Sequence, residues 1–322
     1  MPQPAATRPD GDYWAGYRFT PRLIAAAGSG VWVVENHLPL LARVDPPSGA
    51  VTGPRRVGHG DPAGRGAHDL LAHDDALWIR WNDGITRFAP GTDDERWLGL
   101  SAAGLAAGDA GVWALTGDGR LARLEPDARG YDPLGEPEVR RHSIAVGHGA
   151  VWALTWTHVP GGSTLSRIDP RSGAVEGQLA IPGSPRQLMV APDAVYVRVW
   201  RRDGELLEES VLRIDAREVE LHAGFRISPG AGSAVLNGVI WSPGHDDGEG
   251  PTSARRIDAA TGELLGSVDT PGSITAISAG LGGMWACVER RGRPGGCVLQ
   301  LSEEGTRTIE LDSLEIAAHL PG

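Results

Sequence analysis

Four side chains that can bind an anion or move a proton occur at one spacing in this sequence, each ten residues before an aromatic residue. They are Arg22, His68, His142 and Arg186. Histidine changes charge near neutral pH and can act as a base, and arginine holds carboxylates through paired hydrogen bonds. If the fold brings the four together, they form a site for an anionic ligand, with His142 or His68 as the catalytic base. In the alternative interpretation, each side chain only bonds a carbonyl group of a neighbouring loop.

Further polar and aromatic residues follow the same aromatic positions and extend the predicted site. Trp81, Trp156 and Trp200 lie outside the repeated aromatic position, so they are candidates to hold a flat or apolar ligand. Packing within a loop would account for each of them equally well. The other residues expected on this side of the molecule are Glu35, Asn36, His37, Arg80, Asp83, His158, Arg198, Arg201, Asp203, His245 and Glu289. We expect the substrate-binding set to comprise Arg22, Arg186, Glu35, His245 and the three Trp residues.

The candidate residues recur because the sequence itself repeats. The aromatic position occurs seven times, at intervals that average a little over forty residues, as Trp32, Trp78, Trp113, Trp152, Tyr196, Trp241 and Trp285. A small apolar segment that ends in a turn precedes each copy, as in "IAVGHGAVW". An apolar residue, a basic residue and a second apolar residue follow. The basic position is filled by Arg43, Arg87, Arg123, Arg167, Arg213 and Arg256, with Gln300 in the seventh copy.

Each copy holds four short strands, and four strands at this period are typical of a propeller blade. The sequence therefore predicts an all-β fold, a seven-bladed β-propeller with four-stranded blades, as a single domain over residues 1–322. The predicted blades are 22–59, 68–100, 102–140, 142–182, 186–228, 232–270 and 273–311. Either "DYWAGYRF" or "LEIAAHL" could close the ring beside the outer strand "TRTIEL". In this topology the candidate residues lie at the upper mouth of the channel, where the innermost strands begin.

Composition excludes several classes of protein. All thirty basic residues are Arg, which rules out a Schiff-base lysine and a P-loop lysine. The net charge of −11 argues against a nucleic-acid partner. With no signal peptide and no apolar run long enough to cross a bilayer, we expect a cytoplasmic monomer without membrane contact. No nucleotide or quinone motif is present, and "HDDGEG" at 245–250 is better explained as a solvated acidic loop than as a calcium site.

Two cysteines, Cys287 and Cys297, flank the segment "ERRGRPGG". At this spacing two hairpin strands could face each other, so a disulfide is geometrically possible. In a cytoplasmic protein we favour two reduced thiols.

The copies "GSGVWVVENHLPLLARVDPPSGAV" and "GHGAVWALTWTHVPGGSTLSRIDPRSGAV" resemble repeats of the YVTN/YncE-like and streptogramin (virginiamycin) B lyase propellers. Those repeats read roughly G-x-W-F-T-E and then I-x-R-I-D-P-x-T-G, and Glu35 in "WVVE" matches the final Glu of the first motif. The resemblance covers about residues 22–311. It implies magnesium-assisted elimination that opens a lactone or depsipeptide ester, with His as base and the metal polarising the carbonyl. By position, Glu289 is our candidate metal ligand. The resemblance also implies a place in natural-product metabolism or antibiotic resistance.

We therefore expect an enzyme, a lyase or lactone-opening enzyme, that acts on a natural-product-like small molecule at the upper mouth. The alternative is a non-catalytic propeller that binds a ligand or a protein partner there as a sensor or scaffold. An electron-transfer quinoprotein is disfavoured, because it would need secretion and a cofactor socket that the sequence does not show.

Overall fold

The architecture was analysed in a computed structural model. The structure describes residues 18–58, 66–135, 141–156, 162–203, 206–227, 232–245, 251–290, 295–311 and residue 314. These parts of the chain form strands, turns and connecting segments and contain no helix. Accordingly, no helix that could cross a membrane occurs within them.

The first four blades are antiparallel meanders of consecutive strands. Blade one contains β1 (Pro21–Ala27), β2 (Gly30–Glu35), β3 (Leu40–Val44) and β4 (Val51–Arg56). Blade two contains β5 (Asp69–His73), β6 (Ala76–Arg80), β7 (Ile85–Ala89) and β8 (Asp94–Leu98). Blade three contains β9 (Ala102–Gly108), β10 (Gly111–Thr116), β11 (Leu121–Leu124) and β12 (Tyr131–Leu134). Blade four contains β13 (Arg141–Gly147), β14 (Ala150–Thr155), β15 (Ser163–Ile168) and β16 (Val175–Ile181).

The last three blades follow the same plan. Blade five contains β17 (Ser184–Val190), β18 (Val195–Asp203), β19 (Leu206–Asp215) and β20 (Glu220–Ile227). Blade six contains β21 (Ala234–Leu236), β22 (Val239–His245), β23 (Pro251–Asp258) and β24 (Leu264–Asp269). Blade seven contains β25 (Gly272–Gly280), β26 (Gly283–Arg290), β27 (Gly296–Ser302) and β28 (Gly305–Glu310). The prediction of seven four-stranded blades is therefore confirmed.

The seven blades close into a ring. Each innermost strand contacts the innermost strand of the next blade, and β25 of blade seven contacts β1 of blade one. Seven apolar clusters lie between the blades, one at each junction. Such burial of both faces of a sheet is the main source of propeller stability, and it leaves few exposed strand edges.

Packing, and not a shared strand, joins the first and last blades. All four strands of blade one and all four of blade seven come from one continuous stretch each. Phe19, from the proposed closing segment "DYWAGYRF", and Leu311 and Leu314, at the other end, enter the same apolar cluster. The Thr275 hydroxyl also donates a hydrogen bond across this junction to the carbonyl of Pro21, at 3.0 Å. Within the described residues, both ends of the ring thus contribute side chains to the closure.

The repeated aromatic residue and the repeated Arg are direct neighbours on adjacent strands. In blade one the register pairs Trp32 with Arg43, and the same pairing recurs around the ring up to Trp285 with Gln300. Six of the seven aromatic residues are Trp, and indole N–H groups donate to carbonyls near the end of the innermost strand, as from Trp152 to Gly147 at 3.1 Å. The repeat therefore specifies a cross-strand pair of side chains near the lower end of each blade.

The two cysteines do not face each other. The register pairs Cys287 with Val298 and Cys297 with Val288, so the two side chains point to opposite faces of the sheet. Cys287 enters the cluster shared with blade one, and Cys297 enters the cluster shared with blade six. Both are buried and neither is in a disulfide, in agreement with reduced thiols. The expectation that a disulfide is geometrically possible was wrong, because the spacing shifts the pair by one residue.

Candidate functional site

The four residues at the predicted spacing occupy equivalent places in their blades. In blades one, four and five, Arg22, His142 and Arg186 are the extra residues of a β-bulge near the start of the innermost strand. His68 lies just before β5, and its backbone N–H donates to the carbonyl of Arg80 at 2.8 Å. A bulge redirects a side chain away from the regular alternation of the strand. All four therefore stand at the upper end of innermost strands that line the ring axis.

The register also identifies the equivalent residues of the other blades. Ala103 is the bulge residue of blade three and Thr275 that of blade seven. The equivalent residue of blade six falls at 231, outside the described residues.

Each of the four residues contacts a partner fourteen positions later, in or just after the second strand of the same blade, and we call these couples rim pairs. Arg22 Nη1 donates to Asn36 Oδ1 at 3.1 Å, and His68 Nε2 lies 2.6 Å from Asn82 Oδ1. The rings of His142 and Trp156 meet edge to face, with centroids 6.5 Å apart. The Arg186 guanidinium carbon lies 3.5 Å from the centroid of the Trp200 ring. The rim pairs are thus polar in blades one and two and aromatic in blades four and five.

The aromatic rim pairs adjoin each other. Trp156 of blade four donates from Nε1 to the hydroxyl of Ser184 in blade five at 2.9 Å. Ser184 is the cross-strand partner of Trp200. Trp156 is 38% exposed to solvent, which is high for a tryptophan, and Arg186 is exposed beside it. Of the described carboxylates, none lies within ion-pair distance of Arg186, so its charge is balanced only by the π-face of Trp200.

His142 is half-buried among these groups and favours its neutral form. Burial lowers the pKa of the imidazole, the nearby carbonyls of Pro185 and Leu154 oppose that effect, and the Arg186 charge lowers the pKa further. Both ring nitrogens are shielded from solvent, and neither makes a hydrogen bond of normal geometry. The equivalent residue of blade seven, Thr275, does bond the corresponding next-blade carbonyl, that of Pro21. His142 therefore lies where a structural residue would lie, near the carbonyls of Pro185 and Leu154 but without a hydrogen bond of normal geometry.

A buried polar network supports the Arg186–Trp200 stack from below. Arg198 and Glu209 form an ion pair, with side chains only 3% and 1% exposed. Arg198 also donates to Gln187 Oε1 at 3.0 Å, and Gln187 follows Arg186 in the chain. Gln187 in turn bonds both backbone groups of Ser233 in blade six, at 2.7 and 2.8 Å. Since Glu209 is the cross-strand partner of Trp200, the network fixes the strands that carry the stack.

Two predicted binding residues lie away from the mouth. Trp81 is 1% exposed, packs in the cluster between blades one and two, and donates from Nε1 to the hydroxyl of Thr86 at 2.9 Å. Glu35 is fully buried, and its Oε2 accepts the backbone N–H groups of His37 and Leu38 at 2.6 and 2.5 Å. Both side chains are used to hold the upper loops of their blades. The loop-packing alternative thus accounts for Trp81, and the geometry of Glu35 is that of a turn residue.

Arg80 belongs to a strand and not to a loop, and it bridges blades two and three. It pairs with Asp69 at 2.5 Å and donates to the carbonyl of Ala102 at 3.2 Å. Arg198 occupies the equivalent position in blade five, two residues after the aromatic residue. Asn82 is a rim residue that the sequence did not single out. Its signal is its position, four residues after Trp78, which matches Asn36 after Trp32.

The residues proposed for a metal do not assemble as a ligand set. Glu289 is the penultimate residue of the second strand of blade seven, with an exposed side chain, and it lies fourteen positions after Thr275, as the rim partners of the other blades do. In the described parts of the chain, no three His, Cys, Asp or Glu side chains come together as a metal site would require. His158 lies outside the described residues, and for His245 only the backbone, at the end of β22, is described. The magnesium chemistry implied by the resemblance therefore has no donor cluster here, and no step is derived through it.

Comparison with known proteins supports the fold. No protein-family model matches the chain, and no curated protein is similar in sequence. Among solved structures, Kuenenia stuttgartiensis hydrazine synthase aligns with a TM-score of 0.71 and 11% identity, over 94% of this chain and 99% of that one. The Neurospora crassa Pan2 WD40 domain aligns with a TM-score of 0.60 and 11% identity, over 86% and 87% of the two chains. BamB from Moraxella catarrhalis gives 0.51 and 12%, over 82% and 80%.

At these identities the likeness concerns architecture alone. The chain has the β-propeller fold that these structures also have, and its own propeller is built from seven four-stranded blades. The narrower resemblance to YVTN/YncE-like and streptogramin B lyase propellers stays a prediction.

Proposed function

We propose that the protein binds a small molecule that carries a flat ring and a negative charge, at the upper rim of blades four and five. The observation that carries this proposal is the Arg186–Trp200 stack, in which an exposed guanidinium has an aromatic face on one side and no carboxylate partner among the described residues. Ligand sites combine apolar surface with a few fixed polar groups, and this rim offers both.

Charge supports an anion at this place. The protein carries a net charge of −11, so an anion is repelled at most of its surface. Arg22 and Arg186 hold equivalent rim positions, and each contacts only a neutral side chain. A carboxylate of the ligand would bond Arg186, and its ring would lie against the exposed face of Trp156.

The surroundings of His142 favour a protein that binds its ligand without converting it. A general base must come within hydrogen-bond distance of the proton that it removes. Both nitrogens of His142 are covered, so the imidazole supports Trp156 and does not face the ligand. This agrees with the sensor or binding alternative. We further propose a small-molecule partner for a cytoplasmic monomer that contacts neither nucleic acid nor membrane.

A second candidate function is a lyase or lactone-opening enzyme, and one observation favours it. The lowered pKa of His142 keeps the imidazole neutral at physiological pH, as a general base requires, and Arg186 is close enough to hold an enolate or carboxylate. For this function the Trp156 ring must move aside to uncover the base. The resemblance to the streptogramin lyases adds to this candidate without deciding it.

Titration with 1-naphthoate, followed by tryptophan fluorescence and calorimetry, tests the binding proposal. We expect saturable binding that Arg186→Met weakens by about tenfold or more, because a charge-assisted hydrogen bond is lost. 1-Naphthalenemethanol has the same ring without the charge and should bind more weakly than 1-naphthoate to the unaltered protein. Arg226→Met, at an exposed position on the outer strand of blade five, is the matched control and should leave affinity unchanged.

The same variants separate the two candidates. Dihydrocoumarin, an aromatic lactone, should be bound but not opened if the protein only binds. Hydrolysis that disappears in His142→Ala with an unchanged melting temperature would establish the enzyme instead. Equal binding of 1-naphthoate by the parent and Arg186→Met would overturn the binding site altogether.

A further inference from the structure

The lower face carries a second kind of groove that the upper site does not use. Three successive interblade grooves open there, between blades one and two, two and three, and three and four, with cavities of about 670, 310 and 470 Å³. Each is flanked by the repeated arginines of the two blades that form it. In order these are Arg43 with Arg87, Arg87 with Arg123, and Arg123 with Arg167.

The three grooves share a plan but differ in charge. The second is lined by Asp74, Glu125 and Asp132, and the third by Asp109, Asp169 and Glu176. The first, which is also the largest, has a single lining carboxylate, that of Asp75. The lining of the first groove has two guanidinium groups and one carboxylate and is therefore positive. The second groove has two guanidinium groups and three carboxylates, and the third, which Arg171 also lines, has three of each.

Both arginines of the first groove retain the capacity to bind an anion. Arg43 Nη2 donates only to Ser29, to the hydroxyl at 3.0 Å and the carbonyl at 3.3 Å. Arg87 has one carboxylate nearby, that of Asp94, at a long 3.8 Å. A planar guanidinium has five N–H donors, so most of these donors are available.

The rest of the lining suits a small ligand with an apolar part. Trp32, Ala27, Ala89 and Pro90 form apolar surface, and Thr92 adds a hydroxyl near the mouth. Gly28 and Gly91 have open space where a side chain would be, which keeps the groove accessible.

In two later blades the equivalent arginine forms a closer ion pair. Arg213 is paired with Asp193 at 3.4 Å, and Tyr196 is its cross-strand neighbour. Arg256 is paired with Glu303 of blade seven. Within the described residues, Arg43 has no ion pair and Arg87 has only the long one with Asp94, so the first groove is distinguished by weakly paired arginines.

We propose that the lower groove between blades one and two is a second ligand site, which binds a small organic anion, a phosphate monoester or a carboxylate, through Arg43 and Arg87. The anionic group bonds both guanidinium groups, and the apolar part of the ligand covers Trp32. This site is independent of the upper rim, so either can fail without the other.

Calorimetric titration with phenyl phosphate, benzoate and inorganic phosphate tests the site. Phenyl phosphate and benzoate distinguish the two sources of the anion, and inorganic phosphate shows what charge alone contributes. We expect Arg43→Met to weaken binding of the preferred probe by about tenfold or more, since two cations converge on one anion. Asp75→Asn removes the one lining carboxylate and should strengthen binding several-fold at low salt.

Arg123→Met is the matched control. Arg123 holds the same place in the repeat, opposite Trp113, but of the three grooves it lines the second and the third and not the first. It should leave affinity within about twofold of the parent. Absence of binding for all three probes would overturn the proposal, and so would equal losses in Arg43→Met and Arg123→Met. Retention of 1-naphthoate binding at the upper rim in Arg43→Met shows that the variant is folded and keeps the two sites distinct.

Discussion

The guanidinium of Arg186 lies 3.5 Å from the centre of the Trp200 ring, and the two residues are fourteen positions apart. The same separation relates Arg22 to Asn36, His68 to Asn82 and His142 to Trp156. Because the inner strand runs down and the second strand returns beside it, a fixed separation in sequence becomes a fixed contact at the upper rim. Substitution at these two positions changes the chemistry of a blade without changing its fold.

Loss of the buried carboxylate below this stack should destabilise the protein strongly. Glu209→Gln leaves the Arg198 guanidinium without its counter-charge at a site that is 3% exposed. The expected cost is about 3–5 kcal/mol in the free energy of unfolding, measured by urea denaturation. Replacing both residues, as in Arg198→Met with Glu209→Met, should restore much of the loss.

The control for this prediction lies on the same blade. Glu208 pairs with Arg226 at 3.1 Å on the surface, where the Arg226 side chain is 75% exposed. Glu208→Gln should cost less than about 1 kcal/mol. Equal costs for Glu208→Gln and Glu209→Gln would mean that the buried pair is not needed for stability.

Stability should depend on pH through His142. Burial lowers the pKa of His142 in the folded protein. As the pH falls through the ordinary pKa of histidine, the unfolded chain therefore binds a proton at this residue before the folded chain does. The parent should therefore lose more stability than His142→Gln between about pH 7.5 and about pH 5.5. Urea denaturation at both pH values measures this difference.

If His142→Gln keeps the pH dependence of the parent, the imidazole is not held in its neutral form by the fold.

The two thiols should be present but unreactive in the native protein. Both cysteines are fully buried, and burial raises the pKa of Cys287 well above its usual range. A thiol reagent such as Ellman's should therefore label neither residue under native conditions. After unfolding in urea without reductant, two thiols per chain should react. Failure to find them would show a disulfide, against the register of the strands.

The architecture could be predicted from the sequence because the spacing of repeated residues indicates which of them pair across adjacent strands. The spacing of Trp32, Trp78 and their equivalents, with the Arg that follows each, specifies a cross-strand pair that recurs in every blade. The spacing from Arg22 to Trp32 likewise predicted a common position for the rim residues. Seven copies of one pattern left little freedom for the fold.

Burial and partner choice were not readable in the same way. Trp81 resembles Trp156 in sequence, yet the adjoining blade covers Trp81 and Thr86 satisfies its indole. Glu35 matches a family motif, yet two backbone amides occupy its carboxylate. Such outcomes depend on the neighbouring blade and on loop length, neither of which a single repeat specifies. The cysteines differ for another reason, since a shift of one residue in strand register reverses the face of the sheet.

The ring has a further property that follows from its uninterrupted sheets. Since each described sheet consists of four consecutive strands, the backbone could be cut at any junction between blades and rejoined at the junction of blades one and seven without dividing one of these sheets. The order in which the blades are made is then separable from the order in which they stand around the axis. Growth of such a chain by copying one whole blade preserves every hydrogen-bonded ladder already present.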